Sequence, residues 1–228
     1  MLHKRLKQVI NVALVACSIL GAVVLGGCSE KTKQPTKAQA QEFADKANEA
    51  IAGMKSHNSD GTYELKTYDK QPPNTVKATM VRDVDGDTIV VKDNGGEKKI
   101  RFLLVDTPET VKPETPVQPF GEKAKDFTKQ ALPKDSDIYV EYGKSKSDKY
   151  GRCLGFIYYK NKNTGKWTML NEELVAKGLA RVGYIYKDKE HLQDLDRAQD
   201  YAKEEKLNIW SKAGYVTNKG YNPEVFKN

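Results

Sequence analysis

The chain has little of what thiol or soft-metal chemistry needs. It holds 3 cysteines and 3 histidines in 228 residues. His3, His57 and His191 stand alone, outside any motif, so nothing indicates zinc ligation or histidine acid–base catalysis. Cys17 and Cys28 fall in the N-terminal segment, which leaves Cys153 as the one thiol in the body of the chain. An internal disulfide is thereby excluded, and stability must come from core packing. Cys153 follows Arg152 directly and opens the strand-like run Leu154 to Tyr159, where a free cysteine reads as a small packed hydrophobe. Internal repeats are absent too. The charge imbalance is mild: the net +7 falls to +4 when Lys4, Arg5 and Lys7 leave with the N-terminal segment. Such a balance permits a polyanionic partner without requiring one.

What is present begins with a targeting segment. A basic start is followed by Val9 to Leu25, an uncharged and mostly aliphatic run, and then by Leu25-Gly26-Gly27-Cys28. That ending resembles a bacterial lipobox. It predicts a lipoprotein signal peptide over 1–27, with Cys28 as the lipidated N-terminus of the mature chain. An uncleaved signal anchor is the alternative, but 17 uncharged residues interrupted by Asn11 and Ser18 are short for a span. Residues 28–73 read as a tether. Within it Phe43, Ala47, Ile51 and Met54 recur at helical spacing, as on a spacer helix or one that packs on the domain.

From Val76 the pattern changes. Val76 to Arg82, Thr88 to Lys92 and Lys99 to Val105 are rich in β-formers, and Asn94-Gly95-Gly96 is a hairpin signal. A helix is predicted from Phe120 to Ala131, stopped by Pro133. Strands at Ile138 to Tyr142 and Cys153 to Tyr159 follow. Two more helices are expected, Leu170 to Lys177, ended by Gly178, and His191 to Asn208. Five strands and three helices make an α+β domain, a small barrel with helices against it. A chain of this length buries enough apolar surface to fold alone.

Three runs carry chemistry: Asp85-Gly86-Asp87-Thr88, Arg101-Phe102-Leu103-Leu104-Val105-Asp106-Thr107-Pro108-Glu109, and Asp148-Lys149-Tyr150-Gly151-Arg152. Asp87 and Asp106 each lie beside a strand end, so two distant segments can offer hard oxygen donors to one cation, for which Ca²⁺ is suited. An Asp-Gly pair is also ordinary turn chemistry, and Asp85 reads as the turn residue of the two. Asp106, at the edge of buried sequence, needs a partner. Arg101 and Arg152 offer planar forks that can hold a phosphate; strand-edge ion pairs are the plainer reading. Tyr184 and Tyr186 alternate on one predicted strand and can stack on bases or line the core rim. Metal, phosphate clamp and carboxylate base are the parts of a metal-dependent phosphodiesterase.

In this order and spacing, the runs resemble the staphylococcal (micrococcal) nuclease family, also called thermonuclease. The likeness covers roughly 74–211 and includes Lys203-Glu204-Glu205-Lys206-Leu207-Asn208-Ile209-Trp210-Ser211. It implies an OB-like five-stranded barrel with three packed helices. It further implies Ca²⁺ held by Asp87, Asp106 and the Thr107 carbonyl, and Arg101 and Arg152 on the phosphate. Glu109 would orient the attacking water, and Lys149 and Tyr150 would contact a terminal phosphate. The expected activity is cleavage of DNA and RNA with little sequence specificity, leaving 3′-phosphate ends, by a monomer anchored to the outer face of the cell membrane through Cys28. The loop Thr110 to Gly121 departs from the family pattern in holding Pro113, Pro116 and Pro119 and one lysine. Residues 212–228 lie outside the resemblance. The rival classes are a non-catalytic OB-type nucleic-acid-binding lipoprotein, against which Asp87, Arg101, Asp106, Glu109 and Arg152 together argue, and a solute-binding lipoprotein, which leaves those residues unexplained.

Overall fold

The computed structural model describes residues 61–111, 116–145 and 147–227. The expected leader, Cys28 and the helix expected over 37–54 lie outside the described residues. Among the described residues no helix is long and apolar enough to cross a membrane.

Five strands close on themselves: β2 (Val76–Asp85), β3 (Thr88–Asp93), β4 (Gly96–Phe102), β6 (Asp137–Tyr142) and β7 (Cys153–Lys160). Neighbours in the order β7-β4-β3-β2-β6 are hydrogen-bonded, and β6 pairs with β7 to complete the barrel. Alternation supplies the inside: Met80, Ile89, Val91, Ile100, Val140 and Ile157 are almost fully buried. Closure needs strong coiling, and β2 supplies it with register shifts at Met80/Arg82 and Asp83/Asp85. The β3–β4 hairpin turns on Asn94-Gly95, with the Gly95 N–H donating to Asp93 Oδ1 at 2.8 Å. Outside the barrel, β8 (Trp167–Met169) pairs with β7 and with β1 (Thr67–Tyr68). The folded unit therefore starts well before Asn74. Tyr63 is buried in the core, and its hydroxyl donates to Glu172 Oε1 at 2.9 Å.

Three helices complete the domain: α1 (Gly121–Ala131) and α2 (Leu170–Ala176) against the barrel, and α3 (Leu192–Glu204) against α2 and the strand pair beside the site. The fold is the expected OB-like α+β architecture. Helix α2 is buried throughout, and α3 buries Leu195, Ala198 and Ala202. The run expected as one helix to Asn208 breaks after Glu204. Lys206 takes a left-handed φ of 53°, and a short 3₁₀ turn, Asn208–Trp210, follows.

The strand expected over Lys99 to Val105 is also interrupted, and this break builds the site. The chain turns at Leu103-Leu104, where Leu104 is buried with φ 61°. A leucine seldom adopts that conformation unaided. Here tertiary bonds impose it: the Leu103 N–H donates to Gly155 O at 2.9 Å, Asn171 Nδ2 donates to Leu103 O at 2.9 Å, and the Gly183 N–H donates to Leu104 O at 3.0 Å. The chain then leaves the barrel as β5 (Val105–Asp106), which pairs with β9 (Arg181–Val182).

Candidate active site

The redirected strand carries Asp106 to the mouth of the barrel, beside the β2–β3 turn that carries Asp87. That turn is fixed from two sides. Thr128 Oγ1 of α1 donates to Gly86 O at 2.6 Å. A Cβ at Gly86 would fall 2.9 Å from Thr107 Oγ1 and 3.0 Å from Ala124 Cβ, so only glycine allows helix, turn and Thr107 to meet. Asp87 Oδ2 accepts from the Thr107 N–H and Oγ1, each at 3.0 Å, and Oδ1 accepts from Thr88 Oγ1 at 3.1 Å.

Arg101 joins the two carboxylates. One terminal nitrogen donates to Phe102 O at 3.0 Å and Val105 O at 2.8 Å. The other lies 3.0 Å from Asp87 Oδ2 and 3.5 Å from Asp106 Oδ1. The guanidinium is buried beneath Tyr184, its Cζ 5.2 Å from the ring centroid. Both terminal nitrogens are thus engaged with the protein, so Arg101 organises the carboxylates as much as it faces the cleft. Arg181, which the sequence did not single out, places Nε and Nη2 at 2.9 and 2.8 Å from Asp106 Oδ2. No motif surrounds it, and only the β5–β9 register brings it there.

The acidic side of the site is under electrostatic load. Burial lifts the Asp106 carboxyl above the usual range; Arg181 draws it back, and the Asp87 charge pushes it up again. Burial also lifts Asp85 to about 6, with Asp87 adding to the rise. Asp85 does more than turn the chain. Its Oδ1 accepts from the Gly86 N–H and from Thr110 Oγ1, both at 2.8 Å, which ties the turn to the loop carrying Glu109. Glu109 is fixed at the neck of that loop: its N–H donates to Gln118 Oε1 at 2.9 Å, and the Gln118 N–H donates to Glu109 O at 3.0 Å.

Across the cleft, Arg152 is aimed by Asp148, which accepts from Nε and Nη2 at 2.7 Å and from the Arg152 N–H at 3.0 Å. Tyr150, 72% exposed, stands between Lys149 Nζ at 5.0 Å and Arg152 Cζ at 5.4 Å from its ring centroid. Tyr186 is equally exposed at 72%. The expectation that Tyr184 and Tyr186 alternate on one strand is corrected: β9 ends at Val182, and Tyr184 has a left-handed φ of 53°. Asp87, Arg101, Asp106, Thr107, Glu109, Lys149, Tyr150, Arg152, Tyr184 and Tyr186 nevertheless line one cleft of about 950 Å³. Among the described residues no group of three or more Cys, His, Asp or Glu side chains is placed to hold a metal ion by itself.

This arrangement has relatives. The staphylococcal nuclease homologue family matches residues 99–212. The endonuclease YncB of Bacillus subtilis (strain 168) is 43% identical over 157 residues, covering 68% of this chain and 71% of that protein. A thermonuclease of Staphylococcus hyicus is 42% identical over 132 residues, 58% of this chain and 74% of that protein. A thermonuclease of Staphylococcus intermedius is 35% identical over 155 residues, with coverage of 68% and 86%. The barrel, the cleft and these matches agree, and the chain belongs to the staphylococcal nuclease family.

Proposed function

We propose that this nuclease domain is a Ca²⁺-dependent endonuclease that hydrolyses phosphodiester bonds of DNA and RNA with little sequence specificity. The observation that carries the reading is the meeting of the Asp87 and Asp106 carboxylates at one guanidinium, in a cleft whose far wall is Arg152. The donor set fits a hard cation: the oxygens are carboxylate and carbonyl, and burial first and the Asp87 charge second drive up the Asp106 carboxyl, a load that a divalent charge relieves. Asp87, Asp106 and the Thr107 carbonyl would hold Ca²⁺, with water completing its shell, and the ion would neutralise charge developing on the phosphate.

The chain's own groups do the rest. Arg152, braced by Asp148, presents a fixed fork to the equatorial oxygens, where charge accumulates in the transition state. Lys149 and Tyr150 meet a terminal phosphate. Glu109, its backbone held by Gln118 and its Oε1 accepting from the Val111 N–H at 3.0 Å, orients or deprotonates the attacking water. Tyr184 and Tyr186 offer ring faces to any base, so recognition rests on phosphate and stacking. Likeness to the family supports 3′-phosphate products, and the run ending at Cys28 supports anchoring at the outer face of the cell membrane.

The test incubates the chain with plasmid DNA and with RNA, first with Ca²⁺ and then with a chelator. Cleavage is expected with Ca²⁺ alone. Full cleavage in excess EDTA would remove the metal from the reading. Tight binding without cleavage in Ca²⁺ would favour a nucleic-acid-binding module instead.

A further inference from the structure

The segment after the family match ends at residue 212 folds back onto the site. Val216–Thr217 and Gly220–Tyr221 form a small antiparallel hairpin, followed by a 3₁₀ turn, Pro223–Phe226. The segment is tied to itself: the Asn222 N–H donates to Tyr215 O at 2.8 Å, and Thr217 Oγ1 to Gly220 O at 3.0 Å. Tyr215 is fully buried. Its ring lies 5.0 Å from Phe226, 5.3 Å from Tyr221 and 6.0 Å from Phe120 at the start of α1.

Two hydroxyls leave this aromatic cluster, and both reach site backbone. Tyr221 Oη donates to Asp106 O at 2.5 Å, and Tyr215 Oη donates to Pro119 O at 2.5 Å. The first bond acts on the peptide unit between Asp106 and Thr107. A trans peptide points its carbonyl and its N–H in opposite directions. The carbonyl is held by Tyr221, and the N–H is held by Asp87 Oδ2 at 3.0 Å. One peptide plane is pinned at both ends, and both carboxylates hang on it. This matters because β5 is two residues long and has little ladder of its own. The second bond acts on the loop neck. Pro119 follows Gln118, which grips the Glu109 backbone through its side chain and its N–H.

We propose that this C-terminal segment is a brace for the active site, in which Tyr221 sets the Asp106–Thr107 peptide plane for the metal and Tyr215 sets the loop neck for Glu109. Both are positioning residues. The inference rests on the Ca²⁺-nuclease reading above.

The experiment compares the full wild-type chain with Tyr221→Phe and Tyr215→Phe, which keep the rings and remove only the hydroxyls. Ca²⁺ binding is measured by calorimetry, cleavage as kcat and KM, and melting without Ca²⁺. Tyr221→Phe should raise the Ca²⁺ dissociation constant about five- to tenfold, the worth of one hydrogen bond, with the metal-free melting temperature lowered by no more than about 4 °C. Tyr215→Phe should lower kcat with KM and Ca²⁺ affinity unchanged. A wild-type chain that binds Ca²⁺ and cuts, with a Tyr221→Phe variant equal to it in Ca²⁺ affinity, overturns the brace, whether or not the variant melts earlier. A Tyr215→Phe variant with unchanged kcat overturns the loop arm. A wild-type chain that neither binds Ca²⁺ nor cuts overturns the functional reading itself.

Discussion

Removing either arginine of the cleft should abolish most activity, yet the two losses should differ in stability. Arg101→Ala takes a buried guanidinium from two backbone carbonyls and from the space between Asp87 and Asp106. Removing one partner of a buried charge network costs about 3–5 kcal/mol. The lower end applies, because Asp87 keeps its Thr107 donors and Asp106 keeps Arg181. A loss of about 3 kcal/mol lowers the melting temperature by roughly 6–12 °C in a domain of this size. Arg152→Ala removes a guanidinium whose side chain is 25% exposed and paired with Asp148 four residues earlier. That pair is worth about 1 kcal/mol, the upper end for such pairs, because two guanidinium nitrogens meet one carboxylate. Each variant should lose about 10²–10³ in turnover, as for other groups that meet charge in the transition state.

Calcium separates the two further. Without Arg101 the Asp87 and Asp106 carboxylates lose a shared cation, so Ca²⁺ should stabilise Arg101→Ala more than it stabilises the wild type. Arg152 touches neither carboxylate, so its removal should leave the Ca²⁺-induced shift as in the wild type. Thermal melts with Ca²⁺ and with EDTA, alongside single-turnover cleavage, read both effects. An Arg101→Ala chain that melts with the wild type would refute the network. Equal destabilisation in the two variants would refute the assignment of Arg101 as the organiser of the acidic side.

What the sequence revealed and what it concealed divide by the range of the forces involved. The Asp85-Gly86-Asp87 turn, the Asn94-Gly95 hairpin and the alternating barrel strands are set by neighbouring residues, and they are legible. The break at Leu104 is not, because Arg101-Phe102-Leu103-Leu104-Val105-Asp106 reads as one apolar strand. Its left-handed residue is imposed by Asn171, Gly155 and Gly183, far along the chain. Yet that break turns Asp106 toward Asp87. Tyr184 and Tyr186 have strand-like alternation, but β9 stops at Val182, and the two rings reach the cleft from an irregular segment. Arg181 and Tyr221 meet Asp106 across 75 and 115 positions, and neither carries a local signal. The motif residues line one cleft; the residues that hold them became visible only in three dimensions.

Three further outcomes test other parts of the molecule. Gly178→Ala should destabilise the domain by more than about 1 kcal/mol, because φ is 62° and a Cβ would meet Leu207 O at 2.4 Å; an unchanged urea midpoint would refute that close approach. Cys28→Ala should release the protein from the membrane fraction or block its processing, while the purified chain cuts at the wild-type rate. Fatty-acid labelling and the mass of the mature N-terminus check this, and an unlabelled wild-type chain that does not begin at Cys28 would defeat the anchor. The last outcome concerns Glu172, distant from the cleft in the fold's interior. Burial pushes its carboxyl up to about 7, the Asp194 charge adds to the rise, and the Tyr63 hydroxyl bond opposes it. The folded state then holds a proton that the unfolded state releases near 4.5, so stability from this group is full below that pH and falls as pH rises toward about 7. At about 1.4 kcal/mol per unit, the penalty at pH 8 is on the order of 3 kcal/mol. Glu172→Gln keeps an acceptor for Tyr63 and has no charge to desolvate. Its stability relative to wild type should therefore climb between pH 5 and pH 8 in urea titrations. A difference that stays flat across that range would mean that Glu172 is ionised in its buried site at no cost to the fold.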